Sequence, residues 1–295
     1  MKNGVIIINK DGSLSSQAVV TRVKRLLGAD KAGHTGTLDP MATGVLPVLI
    51  GRGVKASEYM LSSDKHYRAR LLLGITTDTE DITGTVITKT DDIKSEDEVR
   101  AVVAKMVGES MQTPPMYSAL KVGGKKLCDL ARAGITVERE PRKITVYSIS
   151  CERINDREYD MDVRCSKGTY IRTLCADIGK ILGVGGVMKA LCRMSASGFA
   201  IEDSITLSEL EALTEEEREA KVLSIESVFK NERKVVLGDF FARLAHSGQP
   251  IYLKKIGFTA YLGEKILIYD KNGFFALGEV KEYEGEAVIK PIKQF

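Results

Sequence analysis

The sequence predicts an α+β fold in which a mixed, largely antiparallel sheet is joined to a small, mostly β module at the C-terminus. Strand and helix patterns do not alternate regularly along the chain, which argues against a doubly wound parallel sheet. From about residue 231 compact strand signals follow one another, with a hairpin turn at Asn272-Gly273. We therefore expect one domain over residues 1–230 and a second over residues 231–295.

The N-terminal half combines buried strands, capped helices and one unusual segment. Strands are predicted at 5–9, 65–73 and 86–88, and helices after Ser15 or Ser16 and from Ser95 to Gly108. Residues 33–47 hold three glycines and two prolines, a composition that predicts a long, shaped loop. Ordered loops on rigid supports commonly carry binding and catalytic groups. This loop is therefore the first candidate for a functional site.

In the C-terminal half, apolar spacing and capping residues predict further strands and helices. Predicted strands cover 143–151, 159–165, 193–201, 265–269, 274–280 and 287–292, and predicted helices cover 126–133, 239–246 and the region after residue 172. Thr206 and Thr214 each precede a Glu by three residues, which predicts two further capped helices.

Composition favours a globular protein without a membrane span. The hydrophobic fraction is 43% and the charged fraction 28%, both ordinary for a folded chain. A net charge of +3 neither requires nor excludes a nucleic-acid partner. The five cysteines form no CxxC pair, so we expect reduced thiols in a cytoplasmic protein, with no metal site. No signal peptide or transmembrane segment is predicted.

Several catalytic motifs are matched only in part and are rejected. Residues 51–57 lack the order of a phosphate-binding loop, and residues 183–186 lack the spacing of a dinucleotide fingerprint. The acidic turn at 77–84 lacks the spacing of a calcium-binding EF-hand. The sequence SALK at 118–121 has neither partner motif of the penicillin-binding enzymes.

Two interpretations of Asp39 are open from the residues alone. Because Pro40 follows it, Asp39 is a typical start of a helix or turn. Alternatively its carboxylate is a nucleophile or general base, kept ionised by a nearby arginine such as Arg172. Tyr67 and Tyr170 are strand and turn aromatics by default, and they are stacking or proton-transfer groups in the functional interpretation. By default, Lys10 is a surface lysine and His34 a loop histidine.

Five segments, in order, resemble one enzyme family. They are GHTGTLDPMATGVL (33–46), KHYR (65–68), TDTEDITG (77–84), PPMYSALK (114–121) and SKGTYIR (166–172). Together they resemble the TruB family, the bacterial tRNA pseudouridine-55 synthases, over about residues 5–230. One departure is NKDG at 9–12, where the family often has Asp-Lys-Pro-x-Gly, so the exact placement of Lys10 is the part this resemblance leaves open.

The resemblance implies a role for each matching position. Asp39 corresponds to the catalytic aspartate, Tyr67 to a tyrosine that stacks on the target uracil and removes a proton, and Arg172 to the ion-pair partner of Asp39. His34 corresponds to a residue that fills the space left by flipped-out nucleotides. Lys10 and Tyr170 correspond to support residues, and Asp81 to an RNA-contacting residue. The C-terminal module resembles the RNA-gripping PUA domain.

The implied reaction breaks the N-glycosidic bond of a uridine, turns the base and rejoins it through carbon. It requires no nucleotide cofactor and no metal. The expected substrate is the T-arm stem-loop of tRNA, with Arg68 or Arg70 offsetting the cost of base flipping, and a monomer needing no protein partner is expected. Two rival hypotheses are a non-catalytic RNA-binding or chaperone protein on the same fold, and a small-molecule enzyme that uses the glycine-rich loop for phosphate.

Overall fold

The computed structural model describes residues 3–295. Its two principal sheets are a ten-stranded sheet and a five-stranded sheet nearer the C-terminus. In the larger sheet the main order is β14-β1-β3-β12-β4-β11-β10-β7, and its parallel pairs are β1–β14 and β3–β12. The element bounds that define these labels follow. The predicted α+β fold with a mixed, largely antiparallel sheet is confirmed.

The N-terminal half contains the following elements. The strands are β1 (Gly4–Lys10), β2 (Ala32–His34), β3 (Thr43–Ile50), β4 (Lys65–Leu73), β5 (Ile75–Thr77), β6 (Val86–Lys89), β7 (Gly108–Gln112), β8 (Lys121–Val122) and β9 (Lys125–Lys126). The helices are α1 (Ser16–Leu26), α2 (Ser57–Leu61), α3 (Glu96–Ala104) and α4 (Leu127–Arg132), with a 3-10 helix at Gly51–Ala56.

The C-terminal half contains more strands and shorter helices. The strands are β10 (Arg142–Arg153), β11 (Glu158–Cys165), β12 (Gly186–Ala196), β13 (Phe199–Ala200), β14 (Ile205–Thr206), β15 (Arg233–Val236), β16 (Ile251–Tyr252), β17 (Lys265–Asp270), β18 (Gly273–Tyr283) and β19 (Glu286–Gln294). The helices are α5 (Ile171–Leu182), α6 (Leu207–Ala212), α7 (Glu215–Ala220) and α8 (Asp239–His246), with 3-10 helices at Ile201–Asp203, Ile225–Phe229 and Leu253–Lys255.

The helix starts were predicted well because each is fixed by a local side chain. The Ser15 hydroxyl accepts a hydrogen bond from the Ala18 N–H at 3.1 Å, and Ser95 forms a complete capping box with Glu98. Thr206 and Thr214 form the two capping boxes predicted for α6 and α7. The strand predicted at 65–73 is also confirmed by β4.

Three predicted boundaries are wrong, and in each case tertiary structure decides. Helix α3 ends at Ala104, because the chain turns into edge strand β7 at Gly108. Strand β12 begins at Gly186 rather than at 193, and the chain reverses at 197–198 into β13. A Cβ on Gly179 would lie 2.1 Å from the Gly186 nitrogen, so the lack of a side chain at Gly179 is what allows α5 to pack directly on the start of β12.

The predicted loop over residues 33–47 is shorter than expected. Its two ends belong to β2 and β3, which leaves residues 35–42 as the irregular part. Pro47 is tolerated inside β3 because it lies between the residues that pair with β12 (Thr43 and Gly44) and those that pair with β2 (Val48–Ile50). The non-local pairing of two separate strands therefore overrides the local turn signals.

The main core lies between the sheet and helices α1, α3 and α5. On β4, Tyr67, Ala69, Leu71 and Leu73 point into it, as the alternation predicts. His66 and Arg70, on the opposite face, pair with Asp162 and Asp160 of β11. The face of β4 that carries Tyr67 is therefore also the face that α5 covers.

The C-terminal sheet has the order β15-β17-β18-β19-β16 and packs against α8 on one side. Its other side contacts the N-terminal part of the chain. The Lys265 ammonium of β17 lies 5.1 Å from the centre of the Tyr59 ring, and Lys293 of β19 pairs with Glu58 at 2.6 Å. The division at residues 230 and 231 stays a prediction. Across residues 3–295, no helix combines the length and the apolar character needed to cross a membrane.

Candidate active site

Asp39 begins a tight turn. The Ala42 N–H donates to the Asp39 carbonyl at 3.0 Å, with Pro40 in the second position of the turn, where its fixed φ is favoured. No helix follows, so the helix-cap interpretation of Asp39 is wrong and the turn interpretation is right. The carboxylate is freed from capping and is 30% exposed.

Lys10 fixes this turn through hydrogen bonds from its side chain. Its side chain is fully buried, and its ammonium donates to the carbonyls of Asp11 at 2.7 Å, Pro40 at 2.9 Å and Ala42 at 2.6 Å. Burial lowers the pKa of Lys10 to about 8, against the opposing effect of the nearby carboxylates of Asp11 and Asp39. The default prediction of a surface lysine is wrong, because the loop supplies carbonyl partners some thirty residues away in sequence.

Arg172, the second residue of α5, faces the Asp39 carboxylate. Its Nε lies 2.9 Å from one carboxylate oxygen, and Nη2 donates to the other at 3.2 Å. The same guanidinium donates to the carbonyls of Thr79 at 3.1 Å and Tyr117 at 2.8 Å. These contacts fix its plane, so Arg172 orients the carboxylate as well as opposing its charge.

The acidic turn at 77–84 supports Arg172 from the other side. Asp81 is buried; one of its carboxylate oxygens accepts from the Thr79 hydroxyl and from the N–H and hydroxyl of Thr83, and the other lies 3.8 Å from Arg172. These contacts tie Asp81 to its own turn and place it beside Arg172. The RNA-contacting role expected for Asp81 stays a prediction.

Glu80, in the same turn, was not identified as a site residue from the sequence. It adopts a left-handed φ of 63°, unusual for glutamate, and its carboxylate accepts from the Thr173 hydroxyl at 2.6 Å. Burial raises the pKa of Glu80. The turn is thereby tied to the residue that follows Arg172.

Tyr67 and Arg193 lie side by side on the face of the sheet next to Asp39. Tyr67 is 9% exposed and Arg193 1%, and their Cα atoms pair across β4 and β12. Burial raises the pKa of the Tyr67 phenol, and the Arg193 charge opposes that rise. The sequence analysis did not identify Arg193. Its burial could have been inferred from Leu191, because residues two apart on a strand lie on the same face of the sheet.

Gly44 explains how close these elements come. Its φ is +96°, and a Cβ there would lie 2.3 Å from the Arg193 carbonyl oxygen. Only glycine fits at this crossing of β3 and β12. The strand that leaves the Asp39 loop is therefore pressed directly against the strand that carries Arg193.

The remaining predicted residues border the same region. His34 ends β2, and its buried Nδ1 finds no hydrogen-bond partner among residues 3–295. Burial, and then the Arg193 charge, lower the pKa of His34. Tyr170 precedes α5, and its backbone N–H and carbonyl bond both ends of the Gln112 amide at 2.8 and 3.0 Å. Burial raises the pKa of its phenol.

The electrostatics of Asp39 balance opposing effects. Burial raises its pKa, Arg172 and Lys10 lower it, and Asp81 raises it. Within residues 3–295, no cluster of three or more His, Cys, Asp or Glu side chains is arranged to hold a metal. The chemistry available here is therefore that of an oriented carboxylate, a buried phenol and three buried cations.

Two family models cover most of the N-terminal 230 residues. Residues 24–171 match the TruB family pseudouridylate synthase (N terminal domain), and residues 172–230 match the tRNA pseudouridylate synthase B C-terminal domain. The chain belongs to the TruB family of pseudouridylate synthases. The two matched regions meet between Ile171 and Arg172, at the start of α5.

Relatives within this family match along nearly the whole chain. A protein of Alkaliphilus oremlandii named tRNA pseudouridine synthase B is 42% identical over 99% of this chain and 98% of its own length. A protein of Clostridium tetani with the same name is 40% identical over 98% of this chain and 99% of its own length. The family resemblance inferred from the five segments is thus confirmed.

Solved structures share the fold. A Cbf5-Nop10-Gar1 complex contains a chain that is 28% identical, with a TM-score of 0.73 over 99% of this chain and 84% of that one. A chain from an H/ACA RNP bound to a substrate RNA containing 2'-deoxyuridine is 26% identical, with a TM-score of 0.72 over the same shares. The C-terminal sheet is included in both likenesses, since they cover 99% of the chain.

Proposed function

We propose that this protein isomerises uridine 55 in the T-loop of tRNA to pseudouridine, with Asp39 as the nucleophile acting on a flipped-out nucleotide. Membership of the TruB family and the name shared by the relatives, tRNA pseudouridine synthase B, support the reaction and the substrate. The observation that carries the role of Asp39 is its placement. The carboxylate is partly exposed on a rigid turn and paired with buried Arg172 at 2.9 Å.

The proposed mechanism needs an immobile, ionised carboxylate. Lys10 fixes the turn through the Pro40 and Ala42 carbonyls, and Arg172 favours the charged form of Asp39. Asp39 attacks either the anomeric carbon of the sugar or the base, the N-glycosidic bond breaks, and the base turns and rejoins through C5. Asp39 is released, Tyr67 accepts the proton that leaves C5, and N1, which is no longer bonded to the sugar, takes up a proton. The nucleotide loses one proton and gains one, so its composition is unchanged and the reaction is an isomerisation.

Polar atoms without partners support a polar ligand at this site. Among residues 3–295, the buried side-chain atoms without a hydrogen-bond partner include His34 Nδ1 and Thr35 Oγ1, which lie just before the turn that Asp39 begins. Such groups are costly unless something pairs with them. A flipped nucleotide and its neighbours supply donors and acceptors of the required kind. We place His34 where the flipped-out nucleotides leave a gap.

Arg68 and Arg70 do not serve the flipped base. They extend from the face of β4 opposite Tyr67, and Arg70 pairs with Asp160 at 2.7 and 2.9 Å. In our proposal the few kcal/mol needed for flipping are offset by stacking on Tyr67 and by the unpartnered groups near Asp39. Residues 1–230 form the catalytic domain and residues 231–295 a PUA-like RNA-binding domain. The protein acts as a monomer without a cofactor.

The decisive experiment replaces Asp39 by asparagine. Asparagine keeps the shape of the turn and accepts from Arg172, but it is no nucleophile. On a T-arm transcript, carbodiimide labelling and primer extension should report at least about a 1,000-fold loss of pseudouridine formation. A transcript with cytidine at position 55 is the substrate control and should stay unlabelled.

Two outcomes would contradict the proposal. Normal turnover by Asp39→Asn would exclude Asp39 as the nucleophile. Tight binding of the transcript by the unaltered protein with no label at position 55 would favour the non-catalytic RNA-binding hypothesis. A Kd for the transcript that rises steeply with salt distinguishes RNA from a small ligand, because phosphate contacts release counterions.

A further inference from the structure

Arg193 is a buried cation situated between two candidate catalytic residues. It lies on β12, where its Cα pairs with Gly44 of β3 on one side and with Tyr67 of β4 on the other. Asp39 lies on the loop that enters β3. The strand order alone therefore places Arg193 between the supports of the nucleophile and the phenol.

The hydrogen bonds of Arg193 join the two ends of the Asp39 loop. Its Nε donates to the Val45 carbonyl at 2.7 Å, beyond the loop, and Nη2 donates to the Gly36 carbonyl at 3.1 Å, near its start. A cation of this kind immobilises both approaches to the turn that carries the carboxylate.

The charge of Arg193 is not neutralised by an ion pair. No carboxylate among residues 3–295 lies within salt-bridge distance of its guanidinium, although the side chain is 1% exposed. A buried charge without a partner is costly, and two carbonyls offset only part of that cost. A cross-strand pair brings side chains within about 5 Å at the Cβ atoms, so the Tyr67 phenol is the neighbouring group that gains most from this charge.

We infer that Arg193 is a positioning residue that fixes the Asp39 loop and keeps its positive charge beside the Tyr67 phenol, where it stabilises the ionised oxygen. The part that concerns catalysis rests on the proposed function, in which Tyr67 accepts the proton leaving C5. A phenolate accepts that proton and a neutral phenol does not. Asp39 and Cys165 also act on the Tyr67 phenol, and both raise its pKa. Lys65, two residues away on the same face of β4, is a second cation in this region, and its charge is coupled to Arg193 and to Cys165.

The first test is the pH profile of kcat for Arg193→Gln and Arg193→Lys. Glutamine removes the charge, so the acidic limb should move up by about 1–3 pH units, while lysine keeps the limb near its original position. Both variants should lower kcat more than they raise KM. A limb that does not move in Arg193→Gln overturns the inference and leaves Arg193 as a structural tie of the loop.

The second test does not depend on activity. In protein labelled with 3-fluorotyrosine, the fluorine signal absent from Tyr67→Phe belongs to Tyr67. Its titration should shift to higher pH in Arg193→Gln and stay unchanged in Arg70→Gln, whose side chain leaves the opposite face of the sheet. Equal titrations in the unaltered protein and in Arg193→Gln overturn the inference. A shifted signal in a protein that makes no pseudouridine contradicts only the proposed function.

A third measurement tests the inference if Arg193→Gln does not fold. In protein labelled with nitrogen-15 arginine, the guanidinium signal absent from Arg193→Lys belongs to Arg193. Tyr67→Phe removes only the phenol oxygen, so this signal should move if the phenol faces the guanidinium. An unchanged signal overturns the inference.

Discussion

Two arginine–aspartate pairs on opposite sides of the main sheet look alike and behave differently. On the outer face Arg70 and Asp160 form a two-pronged pair at 2.7 and 2.9 Å, with side chains 37% and 32% exposed. At the candidate site Arg172 and Asp39 meet at 2.9 and 3.2 Å, with Arg172 only 5% exposed. By distance alone, the outer pair has the better geometry.

The carboxylates of these pairs have shifted pKa values in opposite directions. The hydrogen bonds from Arg70 lower the pKa of Asp160, and here they outweigh the opposing effect of burial. Burial raises the pKa of Asp39, despite the guanidinium beside it. Proximity to an arginine therefore does not by itself determine the ionisation of a carboxylate; the loss of water around the site decides it.

The largest expected difference between the pairs is in catalysis. Lysine in place of Arg172 keeps a charge but loses the planar fork that also bonds the Thr79 and Tyr117 carbonyls. Loss of that alignment should reduce kcat on a T-arm transcript by about 100-fold. Steady-state kinetics measures the effect, and a circular-dichroism melt checks that the protein remains folded.

Arg70→Lys is the matched control, since it makes the same chemical change in the exposed pair. Exposed ion pairs contribute only about 0–1 kcal/mol, so its kcat and melting temperature should barely change. Equal losses of kcat in both variants would mean that the two pairs do not differ in function, and would remove the special role of Arg172.

The sequence predicted those parts of the site that depend on short segments. Asp39, Tyr67 and Arg172 were found because each sits in a motif whose order along the chain resembles one family. The structure brings Asp39 and Arg172 into contact and places Tyr67 on β4. Alternation along β4 also placed Tyr67 and Arg70 correctly on opposite faces.

What the sequence did not predict depends on contacts between distant segments. Lys10 was taken for a surface residue because its carbonyl partners come from a loop thirty residues later. The role of Arg193 requires the strand order β3-β12-β4, which no local pattern contains. Pro47 suggested a loop, whereas β3 accommodates it at a change of neighbouring strand. Local sequence patterns therefore failed where a buried cation or a strand proline depends on partners far away in the sequence.

Lys10 extends the comparison to a cation that titrates. Its pKa, lowered to about 8 by burial, means that it loses its proton and one donor as the pH rises, while three carbonyls still face it. We expect kcat of the unaltered protein to fall about tenfold between pH 8 and pH 9.5 relative to kcat of Lys10→Arg, which stays charged over this range.

Lys65 provides the control for this fall in kcat at alkaline pH, because burial lowers the pKa of Lys65 to about 8 as well. Its ammonium bonds the Leu61 and Ser63 carbonyls, away from the Asp39 turn. Lys65→Met should retain the alkaline fall in kcat. A fall that persists in Lys10→Arg and disappears in Lys65→Met would assign the limb to Lys65 instead.

The smallest expected effect is in stability, and it has opposite signs at the two aspartates. The raised pKa of Asp39 means that the folded state binds its proton more tightly than the unfolded state does, so the unaltered protein loses stability as pH rises through that pKa. The lowered pKa of Asp160 contributes stability that is present above its ordinary pKa and is lost as pH falls. Relative to the unaltered protein, the free energy of unfolding of Asp39→Asn should therefore rise from acid to neutral pH, whereas that of Asp160→Asn should fall. Urea unfolding at several pH values measures both, and the Asp160 effect should be the weaker because solvent screens an exposed pair. Parallel trends in the two variants would show that burial does not distinguish the two carboxylates.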